Sequence, residues 1–158
     1  MPPSRLNNFQ RILNRNNPNL VVNRTKNGYV RVRHTRVPNN NRNNVYSTYK
    51  NNSPNHKTLT IHAMNTNNAY RGQKYQSAFL RAAERAAKNA GYNRLNAHSV
   101  YIVITNNNIP RANQYPNSYY ILTAKGFKVA NTKGILGRYS RGQRINRNSF
   151  SAHLVKNL

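Results

Sequence analysis

The 158-residue chain carries 26 lysines and arginines against a single acid, Glu84, and has no cysteine. That excludes a disulfide frame, a thiolate metal site, a cysteine nucleophile and a carboxylate pair for hydrolysis or for a Mg²⁺ or Ca²⁺ cage. No apolar run approaches the ~18 residues that a bilayer span needs, and the length suits one domain.

Residues 5–14 place Leu6, Phe9 and Leu13 at helical spacing, which predicts a short amphipathic helix closed off by Pro18. Two β-rich runs, LVVNRT and GYVRVRHTRV, flank Lys26-Asn27-Gly28, and Asn-Gly between such runs predicts a hairpin. On its second strand Tyr29, Arg31, Arg33 and Thr35 share one face, and Val30, Val32, His34 and Arg36 the other. PNNNRNN at 38–44 reads as a loop, VYSTYK as another strand and NNSPNH as the next turn.

The stretch from Lys57 to Leu95 is the most regular. Leu59, Ile61 and Ala63 alternate with Thr60, His62 and Met64, the mark of a half-buried strand. After the polar turn NTNNAYRG the period changes. Phe79, Ala82, Ala83, Ala86, Ala87 and Ala90 form one helical stripe, and Gly91 stands where a left-handed cap belongs. Leu95 to Thr105 reads as a long strand whose apolar run, Val100 to Ile104, suits coverage on both faces. Strand, helix and returning strand make a βαβ unit. Residues 106–118 are a Pro- and Asn-rich excursion, YYILTAKG a short helix or turn stopped at Gly126, and FKVANT a strand. From Gly134 a basic tail follows. Its RYSRGQRINR portion has the composition of a nucleic-acid arm, and a last strand fits 134–140 equally well.

The net charge of +25 would crowd a compact chain of radius of gyration roughly 15 Å. Such self-repulsion disfavours the folded state unless a polyanion relieves it. Asparagine fills about a fifth of the chain, often where soluble proteins carry Asp or Glu. The loss of acids reads as adaptation to nucleic acid or an anionic membrane surface. The N-terminus lacks the apolar region of a secretory signal, and the expectation is an intracellular protein, in a virion or nucleoprotein particle.

The central stretch resembles the GNAT superfamily of N-acetyltransferases. The residues that carry the resemblance are Ala69-Tyr70-Arg71-Gly72, Ser77, the helix AFLRAAERAAKNAGYNRL, and Ser118-Tyr119-Tyr120 ahead of Gly126-Phe127-Lys128. It covers residues 57–130 and implies an α/β (α+β) fold: a mixed, mostly antiparallel sheet with a central βαβ unit. On this reading residues 1–133 are a single GNAT-like domain and 134–158 a basic C-terminal extension. The family's two early helices, which wall its acceptor site, have at most one short counterpart in residues 1–56.

In that family a glycine-rich loop lets backbone N–H groups hold the coenzyme A pyrophosphate at a helix N-terminus, because a Cβ there blocks close approach. The resemblance makes Arg71, Gly72 and Ser77 the cofactor-binding positions. Two of the loop's later glycines are Lys74 and Gln76 in this chain, and the added side chains are expected to fill the site. Leu122 stands where the family's acid tyrosine belongs, with Tyr119 and Tyr120 nearby. Glu84 reads as structural, four residues before Lys88. His62 and His98 are the remaining conceivable bases.

These departures lead to the expectation of no cofactor, no catalytic residue and no metal. The chain then reads as a non-catalytic basic protein of a large anionic assembly, a minor component of a virus particle ahead of a ribosome or nucleoprotein. Nucleic acid, another polyanion or neighbouring proteins would be its partners. The expected anion contacts are Arg31, Arg33, Arg71, Lys74, Arg81, Arg85, Lys88, Arg138, Arg141, Arg144 and Arg147, with Tyr29, Tyr70, Tyr75 and Tyr139 interleaved. The alternative is an acetyl-CoA-dependent N-acetyltransferase with a divergent cofactor loop.

Overall fold

The computed structural model describes residues 4–40, 44–52, 57–105, 118–130 and 147–158. They form two units, Met1–Leu95 with Asn157–Leu158, and Asn96–Lys156.

In the first unit the Ser4 side chain accepts the Asn7 N–H at 3.1 Å and so caps helix α1 (Arg5–Asn16). Leu6, Phe9 and Leu13 are its buried face, as their spacing predicts. Strands β1 (Leu20–Arg24) and β2 (Val30–His34) pair antiparallel around the expected turn, where Gly28 takes φ +80° and its N–H donates to Thr25 O at 3.0 Å. β3 (Val45–Asn51) and β4 (Thr58–Thr66) continue the antiparallel sheet. A 3₁₀ turn (Asn68–Tyr70) then leads to helix α2 (Tyr75–Asn89). At the end of α2 the Gly91 N–H donates to Lys88 O and the Tyr92 N–H to Ala87 O, with Gly91 at φ +93°. This pair of bonds is the Schellman stop expected at Gly91.

Both helices cover one face of the sheet. Val30, Val32, Val45, Tyr49, Leu59 and Ile61 meet them from the strands, and Phe9, Leu13, Phe79, Ala83 and Ala87 from above. The alanines of α2 let its axis lie close to the strands. Ala90, at the end of the predicted stripe, is only half-buried, and Leu80 joins the core instead. Tyr49 is fully buried and its oxygen accepts the Ser47 hydroxyl at 2.9 Å. Burial pushes its phenol up to about 12.

The alternation expected along β4 holds only to Ile61. Tyr49 pairs with Ile61 and Thr48 with Ala63, so His62 is an extra residue opposite that step. The bulge turns Ala63 to the face opposite Leu59 and Ile61 and brings Met64 round to the helix side. Period alone could not reveal this, because a bulge is defined by the partner strand.

In the second unit are β5 (Arg94–Thr105), α3 (Ser118–Ala124), β6 (Lys128–Val129) and β7 (Arg147–Asn157), with β7 between β5 and β6 in the sheet. Lys128 lies opposite Val155 and Val129 opposite Leu154, antiparallel. Leu122, Phe127 and Leu154 are buried there. Residues 147–157, read from sequence as part of a basic tail, are strand. Pairing with β6, distant in sequence, supplies what their composition did not announce.

Candidate functional site

The loop between β4 and α2 is built from local bonds. The Asn67 side chain accepts the Ala69 N–H, the Asn67 carbonyl accepts the Tyr70 N–H at 2.9 Å, and the Gln73 amide donates back to Ala69 O at 3.3 Å. Gly72 adopts φ +80°, and a Cβ there would meet nothing within 4 Å, so the loop is open on that side. Lys74, the N-cap of α2, takes a left-handed conformation (φ 61°, ψ 24°) and makes no side-chain cap bond. Among the described residues it is the only non-glycine at positive φ. Its backbone therefore holds the shape that a glycine would take most cheaply.

The backbone N–H groups from Gly72 to Ser77 find no acceptor among the described residues, the first bond of the helix being the Ala78 N–H to Lys74 O. A run of free donors at a helix N-terminus, with no acid in the first turn, is an anion site by geometry and dipole together. Arg71 and Lys74 stand exposed beside it, and Ser77 is half-buried in the first turn.

The expected filling of this site does not occur. Gln76 turns inward: it is 5% exposed, and its amide donates to Tyr46 O at 2.9 Å and to Asn65 O at 2.8 Å. Lys74 points into solvent. Neither side chain lies over the free N–H groups, and Gln76 instead ties the first turn of α2 to β3 and β4. Replacing Gln76 by leucine keeps the volume and removes both donors, which should cost about 1–3 kcal/mol. A lower urea midpoint at unchanged m-value would report it; an unmoved midpoint would mean that the amide makes no such bonds in solution.

Around the loop, His34 packs its ring on Tyr75 at 5.0 Å, and Tyr70 meets Tyr75 edge-on at 6.2 Å. Burial, and after it the charge of Arg36, hold the His34 imidazole below its usual range. Its Nδ1 accepts the Arg36 N–H at 3.1 Å, as a neutral ring can. His34 thus serves as a positioning residue for the start of α2, a role that sequence inspection missed because it depends on β2 lying under the helix.

The other predicted positions separate. Arg81, Arg85 and Lys88 are exposed on α2, and Arg31 and Arg33 are half-buried on the face of β2 away from both helices. Arg138, Arg141 and Arg144, and the side chains of Arg147 and His98, lie outside the described residues. Glu84 is half-buried in mid-helix and engaged there. Leu122 is wholly buried, a core residue, while Tyr119 and Tyr120 are half-buried on α3 with their rings 5.7 Å apart. His62, at the bulge, is exposed and its ring lies 4.6 Å from that of Tyr29. A groove between the C-terminal half of α2 and α1, lined by Ile12, Asn16, Ala82, Arg85 and Lys88, lies away from the β4–α2 loop. Among the described residues no group of histidines or acids could hold a metal ion, and no helix is long and apolar enough to cross a membrane.

The fold is that of the GNAT acetyltransferases, a mixed, mostly antiparallel sheet with flanking helices. A protein of Desulfovibrio desulfuricans assigned to the GNAT family as an acetyltransferase superposes with a TM-score of 0.53 at 12% identity, covering 82% of this chain and 68% of that one. The IAA acetyltransferase of Bacillus cereus gives 0.51 at 14%, covering 82% and 78%. A Salmonella typhimurium protein assigned as an acetyltransferase, solved with its cofactor acetyl-CoA, gives 0.51 at 14%, covering 83% and 65%. No protein-family model and no curated protein matches the chain. At these identities the likeness establishes the fold. It also overturns the expectation of a non-catalytic structural component of a virus or nucleoprotein particle, because the solved proteins that share the fold are acetyltransferases or assigned as such, and none is a capsid or nucleoprotein component. The expectation of no cofactor falls with it: a neighbour in fold holds acetyl-CoA, and the loop that was to be blocked is open.

Proposed function

We propose that the chain is an acetyl-CoA-dependent N-acetyltransferase with a divergent cofactor loop. The observation that carries this reading is the run of free N–H groups from Gly72 to Ser77, left clear because Gln76 turns into the sheet. These groups, with Arg71 and Lys74 beside them and Ser77 in the first turn, would hold the cofactor's diphosphate. When bound, the cofactor supplies an acetyl thioester open to attack by an amine. The bulge exposes His62, whose imidazole is the chain's candidate for taking the amine's proton. Leu122 cannot donate a proton to the leaving group, and water takes that part. An intracellular setting, where acetyl-CoA is made, goes with this reading.

Calorimetry with coenzyme A and with acetyl-CoA tests it. Binding in the micromolar to millimolar range typical of enzyme substrates is expected, with a rise in Tm as ligand is added and thiol release when an amine is supplied. No heat and no thermal shift at millimolar cofactor would end the proposal.

A further inference from the structure

The sheet of the first unit has a second face, opposite the one that α1 and α2 cover. Antiparallel register places Arg31 and Arg33 there, facing Thr48 and Tyr46 of β3, while Val30 and Val32 between and beside them are buried under the helices. The two arginines stand two residues apart, about 7 Å along the strand. The Arg31 guanidinium lies 4.0 Å from the centroid of the Tyr46 ring. Next to this pair, the Lys50 ammonium lies 5.5 Å from the Tyr29 ring, and Tyr29 meets the His62 ring at 4.6 Å. The result is a strip of three cations and three rings across β2, β3 and β4.

Two features mark this strip as unfinished. The Nε atoms of Arg31 and Arg33 are buried and have no hydrogen-bond partner among the described residues, a costly state for a charged donor. The sole acidic side chain of the chain, Glu84, belongs to α2 on the other face, so no acidic side chain of the sequence can complete them. An anion from outside can balance the charge of the two guanidinium groups. Its kind follows from the rings: phosphates satisfy guanidinium groups, and bases stack on tyrosine, histidine and guanidinium planes set across a sheet. An acidic peptide would use the charges and leave the rings idle.

We infer that the face of β2–β4 turned away from α1 and α2 binds single-stranded nucleic acid, with Arg31, Arg33 and Lys50 on phosphates and Tyr29, Tyr46 and His62 against bases. The inference shares His62 with the acetyl-transfer reading, but its test contains no coenzyme, so the two fail separately. Fluorescence anisotropy of the full chain with labelled oligouridylate and oligothymidylate measures it, the two probes separating RNA from DNA. Three cations on a single strand give a roughly twentyfold loss of affinity between about 50 and 200 mM salt. The double variant Arg31→Ala/Arg33→Ala should weaken binding about tenfold or more and cut the salt slope by about two thirds. Arg81→Ala/Arg85→Ala removes the same charge from the exposed face of α2 and should change affinity less than about threefold, since charge there lies off the strip. Tyr46→Leu, neutral in charge, should weaken binding by about five- to a hundredfold as its base stacking disappears. Thermal melts establish that each variant is folded, and the Arg81/Arg85 comparison is made at equal Tm. Equal losses in the two arginine doubles would overturn the inference in favour of a diffuse positive field. Equal competition by polyglutamate or by duplex would overturn it too, as would no binding at low salt.

Discussion

Reversing both charges at the cofactor loop, Arg71→Glu with Lys74→Glu, is expected to lower coenzyme A affinity by about a hundredfold or more, at roughly 1.5–3 kcal/mol for each charge-assisted hydrogen bond removed. Both residues are exposed, so the variant should fold with little change in Tm. The free N–H groups from Gly72 to Ser77 remain in it, and they limit the loss, because a backbone site keeps binding anions when its side chains are changed. A matched reversal at Arg81 and Lys88, exposed further along the same helix, should weaken binding only slightly and lose that effect in moderate salt. Lys74→Gly separates charge from backbone. Glycine relieves the left-handed φ of 61°, worth about 1 kcal/mol of stability, while affinity drops by the single charge removed. Calorimetry of the four proteins gives the comparison. Equal affinities throughout would place the cofactor elsewhere.

Phe9→Ala should be the most damaging single change in the first unit. Phe9 is wholly buried, and its ring meets Tyr49 edge-on at 5.5 Å and Tyr92 at 6.3 Å. Tyr92 in turn donates its hydroxyl to Asn51 at the end of β3, so Phe9 joins α1, the end of α2 and the sheet at one point. Truncation of a buried phenylalanine costs about 3–5 kcal/mol through reduced burial and the cavity left behind. For a chain of this size that lowers Tm by roughly 6–20 °C. The surplus of positive charge leaves little margin, so the variant should melt early and recover partly in salt. Phe9→Leu, which fills most of the volume, should cost markedly less. A loss below about 1 kcal/mol for the alanine variant would mean that α1 does not pack as described.

The elements that local chemistry dictates were legible in the residues. Asn27-Gly28 between β-rich runs can form little but the β1–β2 hairpin, and the alanine stripe with Gly91 marks α2 and its end. The sparse match in residues 1–56 has a plain cause: one helix, α1, stands ahead of β1, and a tight turn joins β1 to β2. Composition pointed away from the function now proposed, because a charge surplus says what the surface attracts and nothing about what a loop can hold.

Chain order and residue type settled the hairpin, the helical stripe, the left-handed stops and the faces of β2, since each depends on neighbours a few positions away. Packing between distant segments settled the rest. Gln76 leaves the anion site open only because two strand carbonyls lie within reach of its amide. His62 is a bulge only by reference to β3, and residues 147–157 are a strand that lies between β5 and β6 in the sheet. Where a side chain points, and what it therefore blocks or frees, is a property of the packed whole.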